Sequence, residues 1–191
     1  LVNNAGMPAR RPLDTVDLEL VERVARVNYL GGVWMTRALL PGLRPGERGT
    51  VRTIVNVVSV AGTVAFAPSG AYSATKHAQL AFSRSLQASL RRSGVTVHSV
   101  LPGYVATEGF PQTALLEHRL LRHTVVRPER VARVIARLVG RRRGREVVVP
   151  WFPYRPVTLV FGLAPGLAAR VGGRVTNGNA AFAAKATEDE P

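Results

Sequence analysis

The apolar positions of the chain follow two periodicities that alternate along its length. Val16, Leu20, Val24 and Val27 recur at intervals of three and four, with Asp17, Glu19, Glu22, Arg23 and Arg26 between them. That spacing predicts a helix capped by Asp14 or Thr15 and running to Leu40, where Pro41-Gly42 stops it. Residues 51–58 (VRTIVNVV) form a nearly continuous β-branched run, the pattern of a strand covered on both faces. A helix over 71–92 follows, then a strand over 95–101 broken by Pro102-Gly103. A further helix runs from Pro128 to Val139, and a last strand occupies 146–149. The opening LVNNAG has the look of the end of a buried strand over residues 1–5. Strands alternating with long helices imply βα units and a parallel sheet, an α/β fold. Open sheets of this kind bind ligands at the carboxyl ends of their strands. Three loops fall at those ends, 4–12, 59–70 and 102–110.

Composition narrows the chemistry. The 191 residues include no cysteine, which excludes disulfides, zinc-thiolate sites and cysteine nucleophiles and makes a reducing cytoplasm the expected setting. The first residues lack a charged region ahead of their apolar ones, so they do not have the form of a signal peptide. Net charge is +14, and of the 26 basic residues only Lys76 and Lys185 are lysines. The arginine excess has two readings: the coding habit of a GC-rich genome, or an attraction for nucleic acid, lipid or cofactor anions. In either case a lysine kept at an internal position suggests that a compact, titratable ammonium is wanted there.

Lys76 is that lysine, and Tyr72 lies one helical turn before it, on the same face. An ammonium beside a phenol favours the phenolate, so the pair is expected to lower the tyrosine's pKa toward neutrality and make it a usable proton donor or acceptor. Spacing alone would equally suit a routine pair on a helix surface. Ser59 directly follows the strand 51–58, at the crevice, although a turn serine is ordinary there. Asn28 interrupts an apolar helical stretch and needs hydrogen-bond partners or a reason.

These residues occur in the company of others. Asn3-Asn4-Ala5-Gly6, Asn28, Ser59, Tyr72-Ser73-Ala74-Thr75-Lys76 and Pro102-Gly103-Tyr104-Val105-Ala106-Thr107 stand in an order, and at element edges, that resemble the short-chain dehydrogenase/reductase family. The likeness spans residues 1–150. It implies a Rossmann-like doubly wound parallel sheet and carbonyl–alcohol interconversion with NAD or NADP, which the sequence does not distinguish. By the resemblance Tyr72 is the general acid or base, and Ser59 polarises the substrate oxygen. Tyr72 and Lys76 also belong to the cofactor-binding set, Lys76 holding the nicotinamide ribose, and Asn28 anchors a water that links Lys76 to solvent. Asn4, Ala5 and Gly6 line the cofactor cleft, Pro102 and Gly103 belong to the same set, and Val105 and Thr107 meet the carboxamide. Residues 108–126 would form a mobile lid. The family's glycine-rich phosphate turn and first strands are not found in residues 1–191, which are therefore expected to be the C-terminal portion of a truncated member. A homo-oligomer is also implied.

Other signals are weaker. His118 and His123 lie five apart with no third ligand, so no metal site is expected. The cluster Arg141, Arg142, Arg143 and Arg145 suits a solvated turn, and no nucleic-acid motif accompanies it. Residues 151–174 form an apolar extension whose uncharged run, Pro156 to Ala169, is 14 residues long and broken by Gly162 and Pro165, too short to span a bilayer. Its aromatic residues and flanking arginines suit a helix packed on its own domain or a dimer partner, the wall of an apolar pocket, or a peripheral membrane contact. A lipophilic substrate is expected on that ground. Residues 175–191 have the composition of a disordered tail. The competing reading of the chain is a non-catalytic remnant that acts by binding or dimerisation.

Overall fold

The β-branched run becomes strand β2 (Arg52–Val57), buried from Thr53 onward. It pairs in parallel with β1 (Val2–Asn3) on one side and β3 (Val95–Pro102) on the other. β4 (Glu146–Val149) adds in parallel to β3, giving the order β1-β2-β3-β4. This computed structural model describes residues 1–12, 14–43, 51–65, 69–108, 112–119, 121–164 and 166. The expected tail at 175–191, the second half of the extension and residues 109–111 and 120 of the expected lid lie outside them.

The first helix begins later than expected. Thr15 and Val16 donate their backbone N–H groups to Pro12 O, so the chain is still turning there. Asp17 is the cap instead, accepting from Glu19 N at 3.0 Å. One continuous helical run follows: α1 (Leu18–Ala25), a π-turn over Arg26–Leu30, and α2 (Gly31–Leu43), which carries Pro41 inside its last turn rather than ending before it. α3 spans Gly70–Ser89 and stops short of Arg92, because residues 90–94 are drawn into turns that end at Gly94 with φ +77°. The segment 104–126 is not wholly irregular. It holds α4 (Thr113–Glu117) and a 3₁₀ turn over Leu121–Thr124. α5 spans Pro128–Leu138, and the extension contributes α6 (Tyr154–Leu163).

Alternate residues of the central strands feed opposite layers. Val55 and Val100 meet Val131 and Leu138 of α5, whereas Ile54 and Val97 pack with Leu90, Leu86 of α3 and Leu40 and Leu43 of α2. Helices therefore cover both faces, and residues at the strand centres are apolar on both sides. A buried polar chain threads one of these layers. Asn3 Nδ2 donates to Thr36 Oγ1 (3.1 Å) and Asn56 Oδ1 (2.8 Å), Asn56 Nδ2 donates to Ser83 Oγ (2.9 Å), and Ser83 and Ser99 hydroxyls meet at 2.7 Å. It ties α2, β1, β2, α3 and β3 together and holds the strand ends in register.

His98 lies fully buried on β3. Its Nδ1 accepts from Arg145 N at 3.1 Å, which puts the ring proton on Nε2, and that atom has no partner among the described residues. Burial lowers its pKa, and the charges of Arg145 and Arg141 lower it further. Below pH 6.5 the unfolded chain takes up a proton that the folded chain refuses, so stability falls as pH drops. The expected slope is up to about 1.4 kcal/mol per pH unit for this one group. His98→Asn keeps an acceptor for Arg145 N and does not titrate. Denaturant unfolding between pH 7 and pH 5.5 should show a shallower decline in that variant than in the parent.

Candidate functional site

The parallel register sets the site. Val57 lies opposite Val100, so Ser59 and Pro102, each two residues farther along, emerge side by side at the carboxyl end of the sheet. Ser59 Oγ lies 3.4 Å from Pro102 O, to which it donates, and it accepts from Ala61 N at 3.1 Å, capping the 3₁₀ turn Val60–Gly62. That turn lies directly on α3. A Cβ at Gly62 would fall 2.8 Å from Lys76 O, so only glycine allows the approach. The same turn thereby fixes Ser59 relative to Tyr72 and Lys76.

Tyr72 and Ser59 are hydrogen-bonded through their side chains. Burial pushes the Tyr72 phenol above its ordinary value, and the bond to Ser59 and the positive charge of Arg10 only partly oppose this. The expected lowering toward neutrality is thus outweighed. Lys76 is 3% exposed, and burial drops its pKa to about 8. Its Nζ donates to Gln79 Oε1 at 3.0 Å and to Val57 O at 3.5 Å, and stands 5.7 Å from the centroid of the Tyr72 ring. The ammonium therefore rests on neutral oxygens rather than on a carboxylate.

Asn28 has the partners its position demanded. The π-turn closes with Gly31 N on Arg26 O, and within it Asn28 is 1% exposed. Its Oδ1 accepts from Met7 N at 2.8 Å, while Nδ2 donates to Met7 O at 3.0 Å and Thr75 Oγ1 at 3.2 Å. Thr75 in turn donates to Tyr72 O at 2.8 Å. One amide thus clips the loop after β1 to the first turns of α3. Gly6 comes close as a result: a Cβ there would lie 3.5 Å from both Asn28 Oδ1 and Lys76 Nζ. Asn4, Ala5 and Gly6 are exposed at the rim of this loop, open to a ligand.

On the far side Gly103 N donates to Val149 O at 2.8 Å, and Val105 bridges to Val126. Thr107 is exposed beyond that bridge. Any side chain at Gly103 would collide with the ring of Tyr154. Tyr154 Oη accepts from Tyr104 N (3.3 Å) and donates to Thr124 O (3.2 Å). Sequence reasoning missed four contributors: Gln79, Thr75, Arg10 and Tyr154. A glutamine one turn beyond Lys76 on a buried face was a legible signal. Tyr154 was not, because its partners lie 30 and 50 residues away.

Comparison with known proteins gives these residues a frame. The family model for short chain dehydrogenases matches residues 1–115. A 1-deoxy-11-beta-hydroxypentalenate dehydrogenase of Streptomyces exfoliatus is 43% identical over 107 residues, covering 55% of this chain and 38% of that protein. Dehydrogenase/reductase SDR family member 7B of Xenopus laevis is 31% identical over 198 residues, covering 94% of this chain and 59% of its own. Among solved structures, a short chain dehydrogenase of Burkholderia cenocepacia in complex with NADP superposes with a TM-score of 0.71 at 28% identity, covering 89% of this chain and 69% of that one. A 3-oxoacyl-[acyl-carrier protein] reductase of Brucella melitensis in complex with NAD gives 0.67 at 26% identity, covering 76% and 64%. The chain thus spans between 38% and 59% of the length of these two curated relatives. With the strand order, the Ser59–Tyr72 contact and the buried lysine in place, the chain belongs to the short-chain dehydrogenase family.

Proposed function

We propose that this chain carries the catalytic half of an NAD(P)-dependent oxidoreductase that interconverts a carbonyl and a secondary alcohol, on a lipophilic substrate. The observation that supports it most is the hydrogen bond between Ser59 and Tyr72 beside the buried Lys76 ammonium. Relatives solved with NAD and with NADP give either nucleotide equal standing.

The residues present suit the nicotinamide end of such a cofactor. Lys76 has three N–H donors, two of them on Gln79 and Val57, which leaves one for a ribose hydroxyl. The exposed Asn4-Ala5-Gly6 rim stands beside it, and Pro102, Gly103, Val105 and Thr107 form the opposite edge of the cleft. When bound, the cofactor supplies or accepts the hydride. Everything else falls to the chain. A substrate carbonyl oxygen seated between Ser59 and Tyr72 accepts two hydrogen bonds, and Tyr72 gives up its proton as that oxygen gains charge. Burial keeps the phenol protonated at neutral pH, the form needed for reduction. In the oxidative direction the nearby ammonium stabilises the phenolate that takes the proton back. Asn28 positions Thr75 and the loop at Gly6, and with them the approach to Lys76.

Deuterium transfer tests the assignment. Incubating the intact protein with [4,4-²H₂]NADH or [4,4-²H₂]NADPH, which carries deuterium on both faces of C4, and a panel of apolar ketones should place the label on the carbinol carbon, one atom per cofactor oxidised. Absence of label from every ketone, with cofactor demonstrably bound, overturns it.

The exposed ridge of α2, with Trp34, Met35 and Leu39, flanks a groove lined by Val33, Leu40, Pro41, Phe82 and Leu86 with Thr36 and Arg37. This face suits a second copy of the chain, consistent with the homo-oligomer that the resemblance implies.

A further inference from the structure

A helix on the surface of a domain ordinarily turns polar residues outward. α6 does not. Tyr154 and Thr158 face the core, and the outward face presents Val157 (39% exposed), Leu159 (49%), Val160 (52%) and Leu163 (87%). Arg155 is its one charged residue. Immediately before the helix Trp151 and Phe152 are 63% and 73% exposed. The result is a continuous apolar surface with two aromatic side chains at its edge, anchored to the fold by Tyr154 in the cluster with Val58, Leu80, Leu101 and Val148.

Arginine predominates around this surface. Thr124, which accepts from Tyr154, lies in a stretch running from His118 to Pro128 that contains no acid, with Glu117 and Glu129 just beyond its two ends. Arg119, Arg122 and Arg127 are exposed along it. An apolar face rimmed by arginine, with tryptophan and phenylalanine at its border, is the composition of an interfacial helix on anionic lipid. At ten residues α6 is about 15 Å long, half the thickness of a hydrocarbon core. No helix among the described residues is long and apolar enough to cross a membrane.

We propose that the outward face of α6, with Trp151 and Phe152, docks flat on an anionic membrane surface. Docking there presents the mouth of the Tyr72 site to the lipid, because Tyr154 at the root of the same helix packs on Gly103 and Tyr104 at that mouth. Delivery of a lipid-dissolved ketone to Tyr72 rests on the functional reading above; the docking itself does not.

Vesicle flotation tests it. The protein should float with vesicles of phosphatidylcholine and phosphatidylserine, float less with phosphatidylcholine alone, and be partly released by salt. Trp151 emission should shift to the blue on binding. The double variant Leu159→Glu/Val160→Glu should lose about tenfold or more in vesicle affinity. It should keep the parent's melting temperature and its rate on a water-soluble ketone. Tyr72→Phe should float normally, which separates docking from the chemistry. No flotation of the parent, or flotation unchanged in the double variant, overturns the proposal. So does a parent that ignores vesicles and sediments as a dimer while the double variant is a monomer; the face would then join two copies.

Discussion

Tyr72→Phe lowers kcat for carbonyl reduction by about two to four orders of magnitude, while the nicotinamide cofactor binds as in the parent. The substitution removes one hydroxyl and leaves the ring in place on α3, so its packing is retained. Lost with it are the side-chain bond to Ser59 and the proton that a reduced carbonyl oxygen must receive. Water can supply that proton, but not from a fixed position next to Ser59, and positioning is much of what a general acid contributes. The split between binding and turnover is the informative part. On the proposed reading, cofactor affinity, read from tryptophan fluorescence, rests on Lys76 and the rim at Asn4–Gly6, which the substitution leaves in place. A variant that reduced ketones at close to the parent's kcat would show that Tyr72 is not the proton donor.

Lys76→Met gives the second large effect, with opposite signs in two assays. Burial holds the Lys76 pKa at about 8 against an ordinary 10.5, which corresponds to a cost on the order of 3 kcal/mol for keeping the ammonium inside at neutral pH. Methionine fills a similar volume without charge. Losing the donor to the buried Gln79 Oε1 and Val57 O takes back about 1–3 kcal/mol, leaving a net gain of up to about 2 kcal/mol in the cofactor-free protein. The melting temperature should rise by up to about 4–8 °C. The pH dependence is fixed by the direction of the shift. Between about pH 8 and 10.5 the unfolded parent holds a proton that the folded parent has released, so the parent gains stability there and the variant's advantage shrinks. Turnover, in contrast, should fall at least about a hundredfold, since the phenolate loses its cation and the ribose its donor. A Lys76→Met protein that melts at or below the parent at pH 7 would mean that the ammonium is already well solvated or paired. Stability given up at a functional position is a common trade.

The two periodicities were enough for the parallel sheet and its helices, because β2 and β3 are buried on both faces and α5 is amphipathic. They failed where the deciding contact was local geometry or distant chain. Asp17 displaced Asp14 and Thr15 as the cap because Pro12 holds the preceding residues in a turn. The π-turn at Asn28 has no periodic signature of its own. It coincides with the pair of bonds from Asn28 to Met7, 21 residues away. At the site, Tyr72, Ser59 and Lys76 were legible as residues and spacings. The direction of the Tyr72 shift was not, since spacing does not show the depth of burial, which outweighs the Ser59 bond and the charge of Arg10.

The ring of Tyr154 bears on where this chain can be cut. A boundary drawn at Pro150 looks natural, at the end of the last strand and ahead of the apolar extension. Yet a chain ending there would lose the hydroxyl that accepts from Tyr104 N and donates to Thr124 O, and the ring that presses on Gly103. The loop carrying Val105 and Thr107 would lose its backing, and Val148 and Leu101 would face water. A chain that preserves the cleft must therefore keep Tyr154 and the helix that carries it, so α6 belongs to the frame of the site as much as to its surroundings.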